Sequence, residues 1–240
     1  QAGEALRERD LYYALVGRSS MLGAAKQLYR LSRQKQKPDM ERDPGYQQRD
    51  FERIREGLAQ IDRRYHPDVD RAVLEHFLLR YQDRVPAASR VKPLDDWFSL
   101  RAGQDVTAQV RQRLEEMYAE TKLGDTSQRL ALLDATPAQL ESSSDPFIRL
   151  AVALYPVDEA MQEQDQERAG RVQLLSSRYM GALIEYLKGQ GKAVYPDANG
   201  TLRVTYGNVK GYIPRDAVIY KPFTFIEGIL EKDTGVEPFN

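Results

Sequence analysis

Few residue types in this chain could carry chemistry. It has no cysteine and two histidines, which rules out disulfides, a thiolate nucleophile and the common cysteine zinc site. Two histidines also do not suit a histidine-rich metal site, so we predict neither a bound metal nor a cofactor. A hydrolytic serine would need three things: a glycine-flanked turn, a histidine to remove its proton, and an aspartate to orient that histidine.

The nearest approach to a nucleophilic serine is the stretch GRSSM, Gly17 to Met21. It lies within a helical pattern and ends in methionine where a nucleophile elbow has glycine. We therefore interpret Ser19 and Ser20 as ordinary helical serines. The sequence predicts no catalytic residue and identifies no substrate-binding residue in the chain.

His66 allows a different interpretation, because RRYHPDVD contains the His-Pro-Asp tripeptide of J-domain co-chaperones. In J-domains a longer loop follows the tripeptide, whereas here Val69 to Tyr81 resumes helical spacing at once, with Asp68 placed to cap the helix. The alternative function is a non-enzymatic helical protein-interaction module, such as a J-domain-like co-chaperone. His76 stands beside apolar residues and is interpreted as a helix-surface or boundary residue.

Charge gives no sign of a nucleic-acid or membrane partner. The 240 residues carry 35 basic and 36 acidic side chains, and no apolar run approaches the length of a membrane span. The start, QAGEALRERD, has none of the features of a secretion signal. Two local groups are interpreted as solvated helix ends that complement helix dipoles: a basic one (Arg18, Lys26, Arg30, Arg33, Lys35, Lys37) and an acidic one (Asp158, Glu159, Glu163, Asp165, Glu167).

Most of the chain has apolar residues at three- and four-residue steps, which predicts a mainly α fold, an irregular antiparallel helical bundle. Thr136-Pro137 and Asp145-Pro146 read as N-caps followed by proline. The predicted helices are one long helix over 4–36, then helices over about 51–65 and 68–81, a short segment around Trp97, a helix through 110–118, and a last long helix over about 158–188.

At Gly189 the pattern changes to period two. Asn199-Gly200 before the alternating Leu202, Val204 and Tyr206 predicts a β-hairpin, and further short strands are expected around 209–213 and 217–220. In this segment Asp197 and Asn199 suit a turn and Arg203 an exposed strand position, and the glycines of KGQGK suit a helix C-cap and linker. We therefore predict a helical domain over 1–188 and a β-rich segment over 189–240. About 50 residues cannot build their own core, so these strands need either the helices or a partner sheet outside this chain, and we favour the sheet.

The segment YPDANGTLRVTYGNVKGY, followed by AVIYKPFTFIEGILEKDTG and EPFN, resembles the bacterial dipeptidyl-peptidase family of serine exopeptidases that includes dipeptidyl-peptidases seven and eleven. The loop KPDMERDPGYQQRD also resembles a loop in some members. In that family a chymotrypsin-like double β-barrel holds the catalytic triad, and an inserted helical domain caps the cleft. The resemblance implies that residues 1–188 are this helical domain and that 189–240 begin the returning barrel.

The resemblance further implies that all three triad residues lie outside this chain, so we expect the chain alone to be inactive. Its partners would be the N-terminal end of a peptide substrate and the rest of the peptidase, in the periplasm or secreted. Strand edges without a neighbour also attract other chains, so a homodimer is a further possibility. Family members hold the substrate's amino group with an asparagine early in the helical domain. Here Tyr12 and Tyr13 stand at about that place and Asn199 is the first asparagine, so no amine-binding residue is carried over.

Overall fold

The computed structural model describes residues 2–101, 103–192, 202 and 204–235. By its internal contacts the chain divides into two units, Gln1–Ser176 (unit 1) and Ser177–Asn240 (unit 2). This division falls inside a helix. The boundary expected between residues 188 and 189 is a statement about which part of the chain folds independently. Contacts do not test independent folding, so this boundary stays a prediction.

Unit 1 consists of α-helices joined by short loops and single 3-10 turns. The helices are α1 (Ala2–Arg18), α2 (Ser20–Gln34), α3 (Phe51–Ala59), α4 (Pro67–Arg84), α5 (Lys92–Phe98), α6 (Thr107–Glu120), α7 (Thr126–Ala131), α8 (Pro137–Glu141) and the first part of α9 (Pro146–Gly189). The 3-10 turns are Asp39–Glu41, Gln48–Asp50, Gln60–Arg63, Ala87–Ser89 and Leu132–Asp134. The prediction of a mainly α fold is confirmed.

The core of unit 1 lies where the apolar faces of these helices meet. Helix α4 packs against both α1 and α6. Buried apolar side chains come from α1, α2, α4, α6 and α9. Leu15, Leu22, Leu78, Val110 and Phe147 are completely buried. Because these residues recur at helical spacing, their burial is the direct result of the amphipathic pattern.

The first predicted helix is wrong as a single element, because the chain breaks at Ser19. This residue has extended backbone angles, φ −87° and ψ 127°, and its hydroxyl accepts the N–H of Leu22, which makes it the N-cap of α2. A serine hydroxyl that bonds a nearby N–H competes with a continuing helix. The periodic pattern continues across the break, so periodicity alone does not locate it.

The last predicted helix begins twelve residues earlier than expected, since α9 starts at Pro146 and passes through Pro156. Pro156 cannot donate the helical hydrogen bond to the carbonyl of Val152. Burial of Ala151 and Leu154 before the proline, and packing of the partly buried Val157 and Met161 against the core after it, hold the helix together on both sides. The expected cap is confirmed, since Asp145 Oδ1 accepts the N–H groups of Phe147 and Ile148 at 3.0 and 3.3 Å.

The other expected cap is also present. The Thr136 hydroxyl accepts the N–H of Gln139, whose side chain bonds back to the N–H of Thr136, with Pro137 as the first residue of α8.

The start of α4 differs from the prediction that Asp68 caps this helix. His66 occupies the N-cap position, and Asp68 lies inside the helix and pairs with Arg71, so Asp68 is not the cap.

Unit 2 contains the end of α9, two antiparallel strands β1 (Tyr212–Arg215) and β2 (Val218–Tyr220), and the short helix α10 (Glu227–Leu230). Tyr212 lies opposite Tyr220, and their rings stack with centroids 5.1 Å apart. Gly211 must be glycine, because a Cβ there would lie 2.4 Å from the carbonyl oxygen of Tyr220. The small β-hairpin expected after the helices is therefore present between residues 212 and 220.

These two strands lie where short strands were expected, around 209–213 and 217–220, but the earlier strand predicted through Val204 and Tyr206 is not formed in the described residues. Residues 204–211 lie in no strand, although Val204 and Tyr206 belong to the alternating run. A strand needs a neighbour for its backbone donors and acceptors, and among the described residues only β1 and β2 supply one to each other. The expected turn at Asn199-Gly200, with Asp197 and Arg203, lies outside the described residues. Within the described residues, no helix is both long and apolar enough to cross a bilayer.

Candidate functional site

Ser19, the best candidate for a nucleophile, is held in a structural network. Its hydroxyl donates to Asp70 Oδ2 at 3.0 Å and accepts the N–H of Leu22 at 3.2 Å, and it lies 3.5 Å from the hydroxyl of Tyr118. Ser19 is nearly completely buried. None of these partners is an imidazole, so the histidine that activates the serine of a catalytic triad is not among them. The prediction that Ser19 is an ordinary helical serine is wrong in its structural role, which is that of a helix cap.

Asp70 is the centre of this network. Its carboxylate accepts the N–H groups of Ser20 and Met21 at 2.6 and 3.3 Å and the hydroxyl of Tyr118 at 2.5 Å, besides that of Ser19. Burial and, next, the Asp70 carboxylate raise the pKa of Tyr118, so its hydroxyl stays protonated and donates. An anion at the N-terminus of α2 also meets the positive end of the helix dipole. Asp70 therefore joins α4 and α6 to the start of α2.

The two histidines do not form a catalytic pair with this serine. His66 is exposed at the start of α4, with its Nδ1 3.9 Å from Asp68 Oδ2. His76 lies on the exposed surface of α4, as the sequence predicts, and its ring centroid is 5.4 Å from that of Phe77. In the part of the chain that the structure describes, no cluster of acidic or imidazole side chains could hold a metal ion.

The acidic group of α9 is only partly a solvated face. Asp158 accepts the hydroxyl of Tyr12 at 2.7 Å and Lys26 Nζ at 3.0 Å, and Asp165 accepts the hydroxyl of Tyr13 at 3.1 Å and pairs with Arg9. For Asp158, with 16% of its side chain exposed, the prediction of solvation is wrong, whereas Asp165, 38% exposed, is both paired and in contact with solvent. They bind α9 to α1 and α2, because the helical spacing of seven residues places both on the side that faces these helices.

Burial changes the acidity of the groups that hold Asp158. Burial and, next, the Asp158 carboxylate raise the pKa of Tyr12, whereas burial lowers the pKa of Lys26 and Asp158 offsets part of that decrease. Tyr12 therefore remains a neutral donor. The carboxylate and ammonium of the pair are both about four-fifths shielded from water, at 16% and 20% exposure.

The basic group of α2 also pairs with carboxylates of other segments and does not lie free in solvent. Arg30 bonds Asp43 and the side-chain oxygen of Gln162 of α9, and Lys35 Nζ bonds Asp134 at 2.9 Å. Arg30 also lies over the ring of Tyr46, 5.3 Å from its centroid. Although burial opposes it, the hydrogen bond from Arg30 lowers the pKa of Asp43. These contacts, and not the helix dipole alone, account for the basic stripe.

A groove of about 950 Å³ lies along this contact between α2 and the first half of α9. Lys26, Arg30, Asp158 and Gln162 stand in its walls, and Gly23 and Ala24 on α2 leave room at its floor. The volume suits a peptide or a drug-sized ligand. The described residues of its walls offer hydrogen-bonding groups and paired charges.

Sequence reasoning missed Asp70 and Asp158 as organising residues. Asp70 follows the His-Pro-Asp tripeptide by two positions, and its only local signal is a carboxylate on the apolar side of a helix, four residues before the fully buried Leu74. Asp158 shares its helix with Glu159, Glu163 and Glu167, exposed carboxylates that look the same in sequence. The partners of both residues lie at least 48 positions away, so local patterns do not show them.

Comparisons with known proteins place this arrangement in context. The family model described as Peptidase S46 matches residues 1–240. The chain is 41% identical over 233 residues to an Asp/Glu-specific dipeptidyl-peptidase of Shewanella putrefaciens, an alignment that covers 97% of the chain and 31% of the relative. It is 36% identical over 121 residues to an Asp/Glu-specific dipeptidyl-peptidase of Flavobacterium psychrophilum, covering 48% and 16%. It is 27% identical over 191 residues to dipeptidyl-peptidase 7 of Phocaeicola vulgatus, covering 79% and 25%. The chain spans less than a third of the length of these curated relatives.

Proposed function

Because the chain belongs to the Peptidase S46 family, we propose that it is the helical part of a bacterial serine-type dipeptidyl peptidase, which removes dipeptides from the N-terminal ends of peptides. The observation that carries the proposal is the alignment with the Shewanella relative, which extends over 97% of this chain but 31% of that protein. The rest of such an enzyme supplies the serine, histidine and aspartate of the triad. This accounts for a chain whose best serine is a helix cap.

The role that fits a helical body next to a protease cleft is to limit substrate length. A cleft closed beyond two residues accepts only chain ends, which turns the geometry of an endopeptidase into that of an exopeptidase. The contacts of α9 with α1 and α2 support this role, because a body that closes a cleft must be rigid. The co-chaperone alternative is not proposed, since the family model extends over the whole chain and α4 starts directly after His66.

The substrates to test first are peptides with an acidic second residue. The relatives that are 41% and 36% identical are named Asp/Glu-specific, whereas the one named dipeptidyl-peptidase 7 is 27% identical. We extend that preference to this enzyme as part of the proposal. We also propose a periplasmic or secreted location, where peptides from degraded proteins would be available.

The experiment compares the full-length enzyme with the 240-residue chain. Each is given a peptide with a free N-terminus and an acidic second residue, the same peptide with an acetylated N-terminus, and the free peptide with leucine as second residue. We expect the full-length enzyme to release a dipeptide from the free acidic peptide, detected by mass spectrometry, and to leave the acetylated peptide intact. A serine-directed inhibitor should abolish release, and the chain alone should release nothing.

Three results would contradict the proposal. Cleavage of the acetylated peptide at a similar rate would show an endopeptidase. Turnover by the 240-residue chain, surviving alanine at Ser19 and Ser20 and blocked by the inhibitor, would place a nucleophile inside it. Equal rates with acidic and leucine peptides would remove the acidic preference while keeping the dipeptidyl activity.

A further inference from the structure

Another cavity of unit 1 lies at the end of α4. Its volume is about 500 Å³, within the range of about 300 to 1,000 Å³ that is usual for ligand pockets. The last turns of α4, the segment that follows them and the loop leading into α6 form its walls, with residues 79, 82–87, 90 and 103–107. We call it the Arg90 cavity.

Arg90 makes only part of the hydrogen bonds that its guanidinium group can make. The side chain is 3% exposed, and its Nε donates to Asp95 Oδ2 at 3.2 Å. The other donors lie on the two Nη atoms, and among the described residues no acceptor bonds them. Neither Nη atom is sealed from open space, unlike the Nε of Arg9 and that of Arg30, which are buried without a partner. Because Arg90 borders the cavity and is otherwise shielded, the open space that its Nη groups meet is the cavity.

The walls of this cavity are held in place by hydrogen bonds. Gln82 Nε2 donates to the carbonyl oxygen of Gln104 at 2.9 Å, which fastens the loop before α6 to α4. The hydroxyl of Tyr81 accepts the N–H of Val91 at 2.8 Å, which holds the segment after α4 against that helix. The walls are therefore preformed, and a ligand would not need to order them.

The charges in the walls are of both signs. Asp83 and Arg84 pair with each other at 3.0 Å and are largely exposed, which leaves the Nη groups of Arg90 and the carboxylate of Asp105 to meet a ligand. Asp105 Oδ1 accepts the N–H of Thr107 at 2.9 Å. Hydrogen bonds from the side chain and, next, the backbone of Thr107 lower the pKa of Asp105, so its carboxylate is ionised at neutral pH. The cavity thus offers donors for an anionic group and an acceptor for a cationic one.

We propose that the Arg90 cavity binds a small zwitterion with a free carboxylate and a free ammonium group, the chemistry that amino acids and dipeptides share. The Nη groups of Arg90 donate to the carboxylate, since a planar guanidinium and a carboxylate form two parallel hydrogen bonds. Asp105 accepts from the ammonium group. A simple anion fits less well, because the carboxylates of Asp83 and Asp105 in the same walls repel it. This inference goes beyond the proposed function and does not rest on it.

Isothermal titration calorimetry with glycylglycine tests the inference, because this dipeptide has no side chain and offers only its two ends. The full-length enzyme and the 240-residue chain are both titrated. We expect Arg90→Lys to weaken binding at least about tenfold, since lysine keeps the charge beside Asp95 but lacks the planar pair of donors. Arg80→Lys is the matched control and should bind like the unsubstituted protein, because Arg80 is exposed on α4 and lies outside the cavity walls. Asp105→Asn should weaken binding about threefold, and it keeps an oxygen for the N–H of Thr107.

Modified ligands identify which ends are recognised. Glycylglycine amide, which lacks the carboxylate, should bind at least about tenfold more weakly, and acetylglycylglycine, which lacks the ammonium group, about threefold more weakly. Glycine distinguishes the two sources of this chemistry. Tighter binding of glycylglycine than of glycine would support a dipeptide as the ligand, and equal or tighter binding of glycine would support an amino acid.

Four results would overturn the inference. They are equal affinities of Arg90→Lys and Arg80→Lys for glycylglycine, equal affinities of glycylglycine and its amide, inorganic phosphate binding as tightly as glycylglycine, and no binding of glycylglycine up to about 10 mM. If thermal unfolding shows that Arg90→Lys does not fold, Asp105→Asn decides, because an unchanged affinity of that variant also contradicts the inference. Failure of the enzyme to release dipeptides would refute the proposed function and leave these titrations unaffected.

Discussion

Replacement of Asp70 by asparagine should lower the free energy of unfolding more than removal of most other single charges in unit 1. The carboxylate accepts four hydrogen bonds, from the hydroxyls of Ser19 and Tyr118 and from the N–H groups of Ser20 and Met21. It is 6% exposed, so water cannot replace a lost partner. Asparagine keeps the shape of the side chain but converts one acceptor oxygen into an NH₂ group that faces donors.

The magnitude follows from the groups that lose a partner. Oδ2 accepts three of the four hydrogen bonds and Oδ1 the one from Ser20, so either orientation of the amide leaves at least one donor without an acceptor. A hydrogen bond to a charged group contributes about 1.5 to 3 kcal/mol. Loss of the charge at the N-terminus of α2 costs about 0.5 to 1 kcal/mol more. We expect Asp70→Asn to lower the free energy of unfolding by about 3 kcal/mol, a large part of the 5 to 15 kcal/mol of a typical domain.

Chemical denaturation of the 240-residue chain measures this value, with Asp68→Asn as the control. Asp68 lies on the same helix, its side chain is 70% exposed, and it pairs with Arg71 three residues later. The control should cost less than about 0.5 kcal/mol because exposed ion pairs contribute little. Equal midpoints for the two variants, with unchanged denaturant slopes, would refute the account of Asp70 as the group that joins α2 to α4 and α6.

Asp158→Asn should lower the free energy of unfolding by about 2 kcal/mol, because it leaves the Lys26 ammonium shielded from water without its carboxylate; a double-mutant cycle with Lys26→Met should show coupling. Arg129→Lys should cost about 3 kcal/mol by thermal unfolding, since one ammonium cannot replace a fully buried guanidinium that bonds two backbone carbonyls and two side chains. Burial and, next, the hydrogen bond to Glu141 raise the pKa of Tyr29 to about 12, so its contribution is complete below pH 10 and lost as the pH rises from about 10 to 12; Tyr29→Phe should flatten the stability profile in that window. A chain ending at Lys188 should still unfold cooperatively by circular dichroism, because the buried apolar side chains of the described residues lie upstream.

The helices whose signals are local could be predicted from the sequence. Thr136-Pro137 and Asp145-Pro146 start helices as expected, since a capping side chain and a proline act within four residues of each other. Helix α4 begins at Pro67, directly after His66, as the helical spacing predicts. The chain therefore has no room at this point for the longer loop that follows the tripeptide in a J-domain. In these places the sequence contains all the atoms that decide the structure.

Elements decided by distant residues could not be predicted in the same way. The break at Ser19 depends on Asp70, 51 positions later, whose carboxylate binds the first N–H groups of the new helix. The continuity of α9 across Pro156 depends on core packing that makes up for a missing hydrogen bond. Asp158 and Asp165 differ from their neighbours Glu159 and Glu163 only in the helix face they occupy.

Unit 2 shows a different kind of limit, because its sequence pattern and its burial disagree. Tyr212, Ile213, Ile219 and Tyr220 have the composition of strands in a core, and they do form a hairpin, yet each is more than half exposed. In unit 1, by contrast, the apolar residues that recur at helical spacing are buried. A period-two pattern indicates which side of a strand would face a core, but it contains no information on which segment supplies that core. In unit 1 the pattern and the burial agree because the residues that cover each apolar face lie in the same unit, whereas for the strands of unit 2 they disagree.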